Sequence, residues 1–400
     1  MRVARRTFVT SAFAALAAPA VLRQARAAAA PVTLKLHHFF SSVSGVHERF
    51  LAPWARKVEA DSAGRIRIDI FPSMQLGGAP AQLYDQACDG FVDLVWAVPS
   101  HMPGRFPKIE AFELPFVPAR RALVSSRALQ DYAAANLNDE FGQARPLAFS
   151  CRDRGAIHAK RAVQSVAEMR GLRLHVPNRL AGETAQALGA HGVTMPAPQV
   201  PAAIAQRVID GCIDAWDVLP GLRLLDALRA HSDFAEGSLA TTTFVLAMSR
   251  ASYERLPRDL KVVIDANSGQ VAAGMAGAMW DADADAVVAT VRDRGDAIAT
   301  ISPEEAARWR KLTEPVIAAW LKAMKERRID GNKLLANART LVEKYAGAPE
   351  PAAAPPPAPR PPAQVRAELP AAAKAAAPPA APALPPAAKP AAAKVLEIPL

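Results

Sequence analysis

The side chains whose types and spacing could do chemistry are concentrated in residues 171–216. His175, Asn178 and Arg179 stand where a strand gives way to a helix, and Asp214 and Trp216 stand at the end of a later strand. An imidazole, an amide, a guanidinium and a carboxylate brought together can orient an anion or a hydroxyl, and an indole can stack on an apolar part. Arg152, Asp153 and Arg154 add two guanidinium groups, which alternation along an extended chain sends to one side. Phe39 and Trp96, both at strand ends, offer further ring surface. No nucleophile with its base, metal-ligand set or phosphate loop accompanies them: G-x-S-x-G, H-E-x-x-H, G-x-x-x-x-G-K and G-x-G-x-x-G are all absent. His37-His38 with His47-Glu48 fits no zinc spacing, because adjacent strand residues point to opposite faces. The expectation is a site that holds a molecule, without metal or cofactor. A cleft enzyme using His175 and Asp214 as an acid–base pair is the alternative.

Such groups need alternating strands and helices to bring them together. Leu172, Leu174 and Val176 alternate as a short strand that Pro177-Asn178 breaks. Asn178 is the expected cap of a helix that stops at Gly189. A second strand over 193–195 follows, then a helix opened by Pro201 with Val200, Ile204 and Val208 on one buried face, then a third strand over 213–218. In such units strand C-termini and helix N-termini face one crevice, where unpaired N–H groups favour an anion.

Upstream, 32–40 and 65–71 alternate as strands around a helix carrying Phe50, Leu51, Trp54 and Val58, and 92–98 forms the next strand. Residues 146–151 are apolar enough for a strand that crosses to a second lobe, and 241–249 returns the chain. Residues 256–271 and 272–294 are helical, and 303–328 is a long amphipathic helix with Trp309, Leu312, Val316 and Trp320 in register. The expected division is a first lobe over 31–150, a second over 151–239 and a return to the first over 240–279. Residues 280–346 would then carry the second lobe's end and a hinge-spanning helix. This is an α/β, two-lobed, periplasmic-binding-protein-like fold with a hinge and an interlobe cleft.

The segments GLRLHVPNRLAGETAQALGA, VTMPAPQVPAAIAQRVIDG and AWDV are similar to the signature of the solute-binding receptors of TRAP transporters, the dicarboxylate-binding family. The resemblance extends over 34–345 and includes FPSMQLGG at 71–78 and ELPF at 113–116. It implies capture of a small organic acid in the interlobe cleft and delivery to membrane permease subunits driven by an ion gradient. A receptor feeding a sensor kinase is a further possibility. Where that family carries an arginine for the ligand carboxylate, this chain has His175. Either Arg179, Arg152 or Arg154 supplies the missing charge, or the ligand is less anionic. In sialic-acid receptors of the family a second arginine lies near the crossing, in the column that Gly155 occupies here. Asp214 falls where many members have asparagine or an apolar residue, and would accept a ligand hydroxyl or amine or pair with Arg179.

The chain has 400 residues, 51% of them hydrophobic, and a net charge of +10. Five of the positive charges (Arg2, Arg5, Arg6, Arg23 and Arg26) precede Ala27, so the remainder carries 10 − 5 = +5. The basic residues are scattered, which argues against a nucleic-acid partner. Residues 1–27 have the basic start, apolar run and Ala-Arg-Ala end of an export signal, with Arg5-Arg6 resembling a twin-arginine motif. A periplasmic location with that segment removed is therefore expected. Cys88, Cys151 and Cys212 are odd in number and set among apolar residues, which favours buried free thiols. After Tyr345 the composition changes, with 16 of 35 prolines between 349 and 399; such a Pro/Ala-rich tail, 347–400, cannot bury a core and is expected to be disordered.

Overall fold

The computed structural model describes residues 30–348. The export segment 1–27 and the tail from 349 onward lie outside them.

Two sheets carry the architecture. The first holds β1 (Val32–His38), β2 (Ile66–Phe71), β3 (Leu94–Ala97) and β4 (Arg145–Cys151), joined by a late strand, β10 (Thr243–Met248), in the order β2-β1-β3-β10-β4. The second holds β5 (Gly155–Ala159), β6 (Arg173–His175), β7 (His191–Val193), β8 (Gly211–Ala215), β9 (Ala230–Phe234) and β11 (Ala297–Ile301), in the order β11-β9-β5-β8-β6-β7. Each sheet has one strand that runs against both its neighbours: β10 between β3 and β4, and β5 between β8 and β9. Both follow a crossing from the other lobe that contains no helix. Only Arg152, Asp153 and Arg154 separate β4 from β5, so the residues singled out for their charge are themselves the crossing.

Alternation places opposite strand faces in different cores. Val95 and Ala97 pack into one first-lobe cluster with Phe112 and Tyr132, while Leu94 and Trp96 pack into another with Trp54 and Phe244. Around the second sheet, Ile157 and Ile213 join Leu174 and Trp309, whereas Ala156 and Cys212 join Ile204 and Trp216.

Two helices of 24 residues connect the lobes. The helix Gln270–Asp293 has Ala272, Ala276 and Trp280 in a first-lobe core and Ala284, Val287 and Val291 in a second-lobe core. The helix Pro303–Glu326 puts Trp309 in the second lobe and Trp320 in the first, with Pro315 between them. The last helix, Gly331–Ala346, corrects the expected division: Leu334, Leu335 and Ala338 pack with Leu129 and Tyr132 in the first lobe, not the second.

Local expectations shift in two places. The helix Val200–Ala205 ends early because Arg207 takes a left-handed φ of 59°, and Val208 turns outward to 49% exposure instead of continuing the face of Val200 and Ile204. The following strand starts at Gly211, where a Cβ would stand 2.2 Å from the His158 carbonyl oxygen. Its early start leaves Trp216 just beyond the strand end.

Candidate ligand site

The C-terminal ends of the parallel strands converge between the lobes, as strand–helix units require. From the first lobe come Phe39 and Phe40 after β1 and Pro99 to Met102 after β3; from the second come His175 on β6, Asn178 and Arg179 beyond it, and Asp214 on β8. A cavity of about 700 Å3 is lined by Ser100, His101 and Glu110 on one side and Asn178, Arg179 and Thr194 on the other; Phe39, Phe40, His175 and Asp214 do not line it.

Arg152 is the hub of the charged cluster at the crossing. Its Nε and Nη2 donate to the two oxygens of Asp217 at 2.9 and 2.7 Å, and Nη1 donates to Asp214 Oδ1 at 3.0 Å. Its guanidinium also lies 5.4 Å from the Trp280 ring. Burial works against the Arg152 charge, but Asp217 and Asp214 outweigh it and raise the pKa. Asp214 is buried, which pushes its carboxyl up despite Arg152 and His175. Its partner is thus Arg152, not the Arg179 considered from the sequence.

His175 is 5% exposed. Its Nε2 stands 4.0 Å from Asp214 Oδ2, too long for the hydrogen bond an acid–base pair needs, and its buried Nδ1 has no partner. Burial lowers its pKa against Asp214 and the Val193 backbone, which raise it, and Arg152 lowers it further. A run of rings joins this cluster to the cavity wall. His101 lies 5.6 Å from Phe39, Phe39 stacks on Phe40 at 4.3 Å, and Phe40 lies 6.2 Å from Trp280.

The other predicted residues fall as follows. Asn178 caps its helix, accepting from Ala181 N at 2.9 Å, and donates to the Thr241 carbonyl at 2.9 Å, so both ends of its amide are engaged. Arg179 lines the cavity, with Nη1 on Glu183 at 2.6 Å and Nη2 on Glu110 at 2.9 Å. Arg154 donates to Asp233 at 2.9 Å and to Asp153 at 3.0 Å, and all three side chains are interior. Trp96 stacks on Phe244 at 5.1 Å in the first-lobe core. Trp216 meets His158 edge-on at 4.9 Å in the second-lobe core. Neither indole has exposed surface.

Sequence reasoning did not single out Asp217, Glu110, His101, Phe40 or Trp280. His101 and Phe40 follow strand ends and could have been found by that rule. Glu110 and Trp280 carry no local signal. Of the histidines near the first strand, His38 Nε2 lies 3.0 Å from His47 Nδ1, and burial lowers the His38 pKa to about 3. Among the described residues no three His, Cys, Asp or Glu side chains are grouped to hold a metal ion.

Residues 36–323 match the profile of the bacterial extracellular solute-binding proteins, family 7, known as DctP. The chain belongs to that family. A TRAP solute-binding protein of Rhodoferax ferrireducens T118, solved with copurified benzoate, is 40% identical, with a TM-score of 0.75 over 79% of this chain and 98% of that one. A marine-metagenome TRAP solute-binding protein specific for aromatic acid ligands, solved with 3-hydroxybenzoate, is 38% identical, with a TM-score of 0.75 over 79% and 99% of the two chains. Among curated proteins, y4mM of Sinorhizobium fredii is 26% identical over 265 residues, 65% of this chain; the chain spans about half (48%) of that relative's length. DctP-family proteins are periplasmic or extracellular binding proteins, and among the described residues no helix is long and apolar enough to cross a membrane.

Within this DctP-family chain, Gly155 has a definite steric role. A Cβ there would sit 2.5 Å from the Ala240 carbonyl oxygen, where the two crossings touch. No arginine fits that column without moving the backbone; the guanidinium whose charge acts on His175 is that of Arg152.

Proposed function

We propose that the chain is the receptor of a TRAP-type uptake system and that it captures a small aromatic carboxylic acid between its lobes. The carboxylate goes to His175 beside Arg152, and the ring goes against Phe39 and Phe40. The observation that carries this reading is the run of rings from His101 to Trp280, which ends on the charged cluster. The benzoate held by the Rhodoferax ferrireducens protein, at 40% identity, supports it. Because the rings come from the first lobe and His175 from the second, such a ligand makes its full contacts only when the lobes are together, and so shifts the population toward closure. The acid is released unchanged to membrane permease subunits driven by an ion gradient. Residues 1–27 direct export and are removed.

Calorimetry of the exported chain with benzoate, 3-hydroxybenzoate and succinate tests this reading. Both aromatic acids are expected to bind at least tenfold more tightly than succinate, on the order of 1.4 kcal/mol. Recovery of intact benzoate from the complex separates capture from turnover. Succinate binding more tightly than either aromatic acid, or chemical conversion of the acid, defeats the proposal.

A further inference from the structure

The cluster at the end of β6 is short of permanent positive charge for an anion. Arg152 already faces two carboxylates, Asp214 and Asp217. Arg154 faces Asp233, which Arg120 shares, and Asp153, whose pKa burial pushes up to about 8; Arg49 is paired with Asp283. An acid brought to this place therefore meets guanidinium groups that already have carboxylate partners before it arrives.

His175 is the group with capacity to spare. Its two ring nitrogens differ: Nε2 stands 4.0 Å from Asp214 Oδ2, and Nδ1 is buried with no hydrogen-bond partner. A neutral imidazole has one N–H, so it can serve Asp214 or a ligand, but not both. An imidazolium has two, one for each carboxylate. Beside the ring, the Val193 backbone also favours the charged form and Arg152 opposes it. In register with His175 are Val193 on β7 and Cys212 on β8, whose thiol burial holds well above its ordinary value. The charged groups facing it are Asp214 from β8 and Arg152 from the crossing, with Asp217 behind Arg152. Without a ligand, burial and Arg152 keep the imidazole neutral near pH 7.

We propose that the chain takes up its acid together with one proton, which His175 acquires as the ligand carboxylate reaches Nδ1. The inference rests on the ligand pose given above and adds its proton stoichiometry. The sign follows from linkage. The complex binds the proton more tightly than the free chain, so acid favours the complex. Affinity is level below the free-state pKa of His175, falls by up to about tenfold per pH unit between that value and its pKa in the complex, and is level again above the latter. The residue thereby acts as a conditional cation where an arginine would be permanent.

The test is calorimetry of the full exported chain with benzoate, in phosphate and in Tris, whose heats of ionisation differ. The expected enthalpies differ by the ionisation heat of about one proton per benzoate bound at neutral pH. His175→Arg is expected to bind benzoate with no buffer dependence. In case that variant does not fold, an NMR measurement on the unsubstituted chain gives the same answer: benzoate moves the His175 ring signals to their protonated positions at neutral pH. Binding with equal enthalpy in the two buffers, or a His175 signal that stays at its neutral position in the complex, overturns this inference alone. No benzoate binding at any pH overturns the proposed ligand class, and this inference with it.

Discussion

Glu113 shows what a single buried carboxyl does in this chain. Its Oε1 accepts from Thr243 N at 3.0 Å and from Thr243 Oγ1 at 2.7 Å, tying an acidic side chain to the first residue of β10. Burial pushes its pKa up to about 7, against the pull of both bonds. A carboxyl raised in the folded state binds its proton more tightly there than in the unfolded chain. Stability from this group is therefore fully present below its ordinary range near 4.5 and is lost as pH rises through about 7. Glu113→Gln keeps the acceptor and removes the titration. Urea midpoints of the variant should fall less than those of the parent chain between those limits, and parallel curves would dismiss Glu113 as the source. The family-like segment at 113–116 thus has a structural use that sequence alone did not reveal. The site shows the same division. His175 and Asp214 were visible as chemistry at strand ends, but not the bond from Asp214 to Arg152, because pairing across 62 residues leaves no local trace.

Elements were legible where their signals were apolar or were caps. Asn178 was recognised as a cap from its place after Pro177, and the structure gives it that bond. Strand β9 was invisible because its middle, His231-Ser232-Asp233, is polar yet wholly interior. Most of their polar atoms are paired inside the fold: Ser232 accepts from Val163 N at 2.8 Å, Asp233 holds Arg154 and Arg120, and His231 meets His158 at 2.9 Å through Nδ1, while its Nε2 has no partner. Hydrophobic periodicity cannot find a strand whose burial rests on hydrogen bonds. Asn178 also joins two elements, since its Nδ2 reaches Thr241 just before β10. Asn178→Ala removes both bonds, at a cost of roughly 1–3 kcal/mol. Asn178→Asp keeps the cap but turns an oxygen toward the Thr241 carbonyl. Denaturant titrations should rank the parent chain above Asp and Ala alike. Equal stability of Asp and the parent would mean that the bond to Thr241 contributes nothing.

At the scale of the molecule, the two lobes are held by covalent crossings and by a few side chains that span the cavity. Arg179 reaches from a second-lobe helix to Glu110, which sits in a first-lobe turn with Ile109 and Phe112 in its core. Leu180, next along the helix, is buried in that same core. The Trp309 and Trp320 anchors of the long helix lie on either side of Pro315, whose missing N–H leaves one helical bond unmade between the lobes. An ion pair that exists only when the lobes are together stabilises the closed arrangement, so ligand affinity gains by the same factor. Glu110→Gln removes the charge from the interlobe pair and leaves the Arg179–Glu183 pair and the Leu180 contact in place. Arg179 is 53% exposed, so solvent screening limits the pair to about 0.2–1 kcal/mol. Benzoate affinity should therefore drop at most about fivefold. The loss should shrink in high salt, which screens an exposed pair but not the buried contacts. An affinity unchanged at low salt would mean that Arg179 and Glu110 meet without helping to hold the lobes together, and closure would rest on Leu180 and the ligand itself.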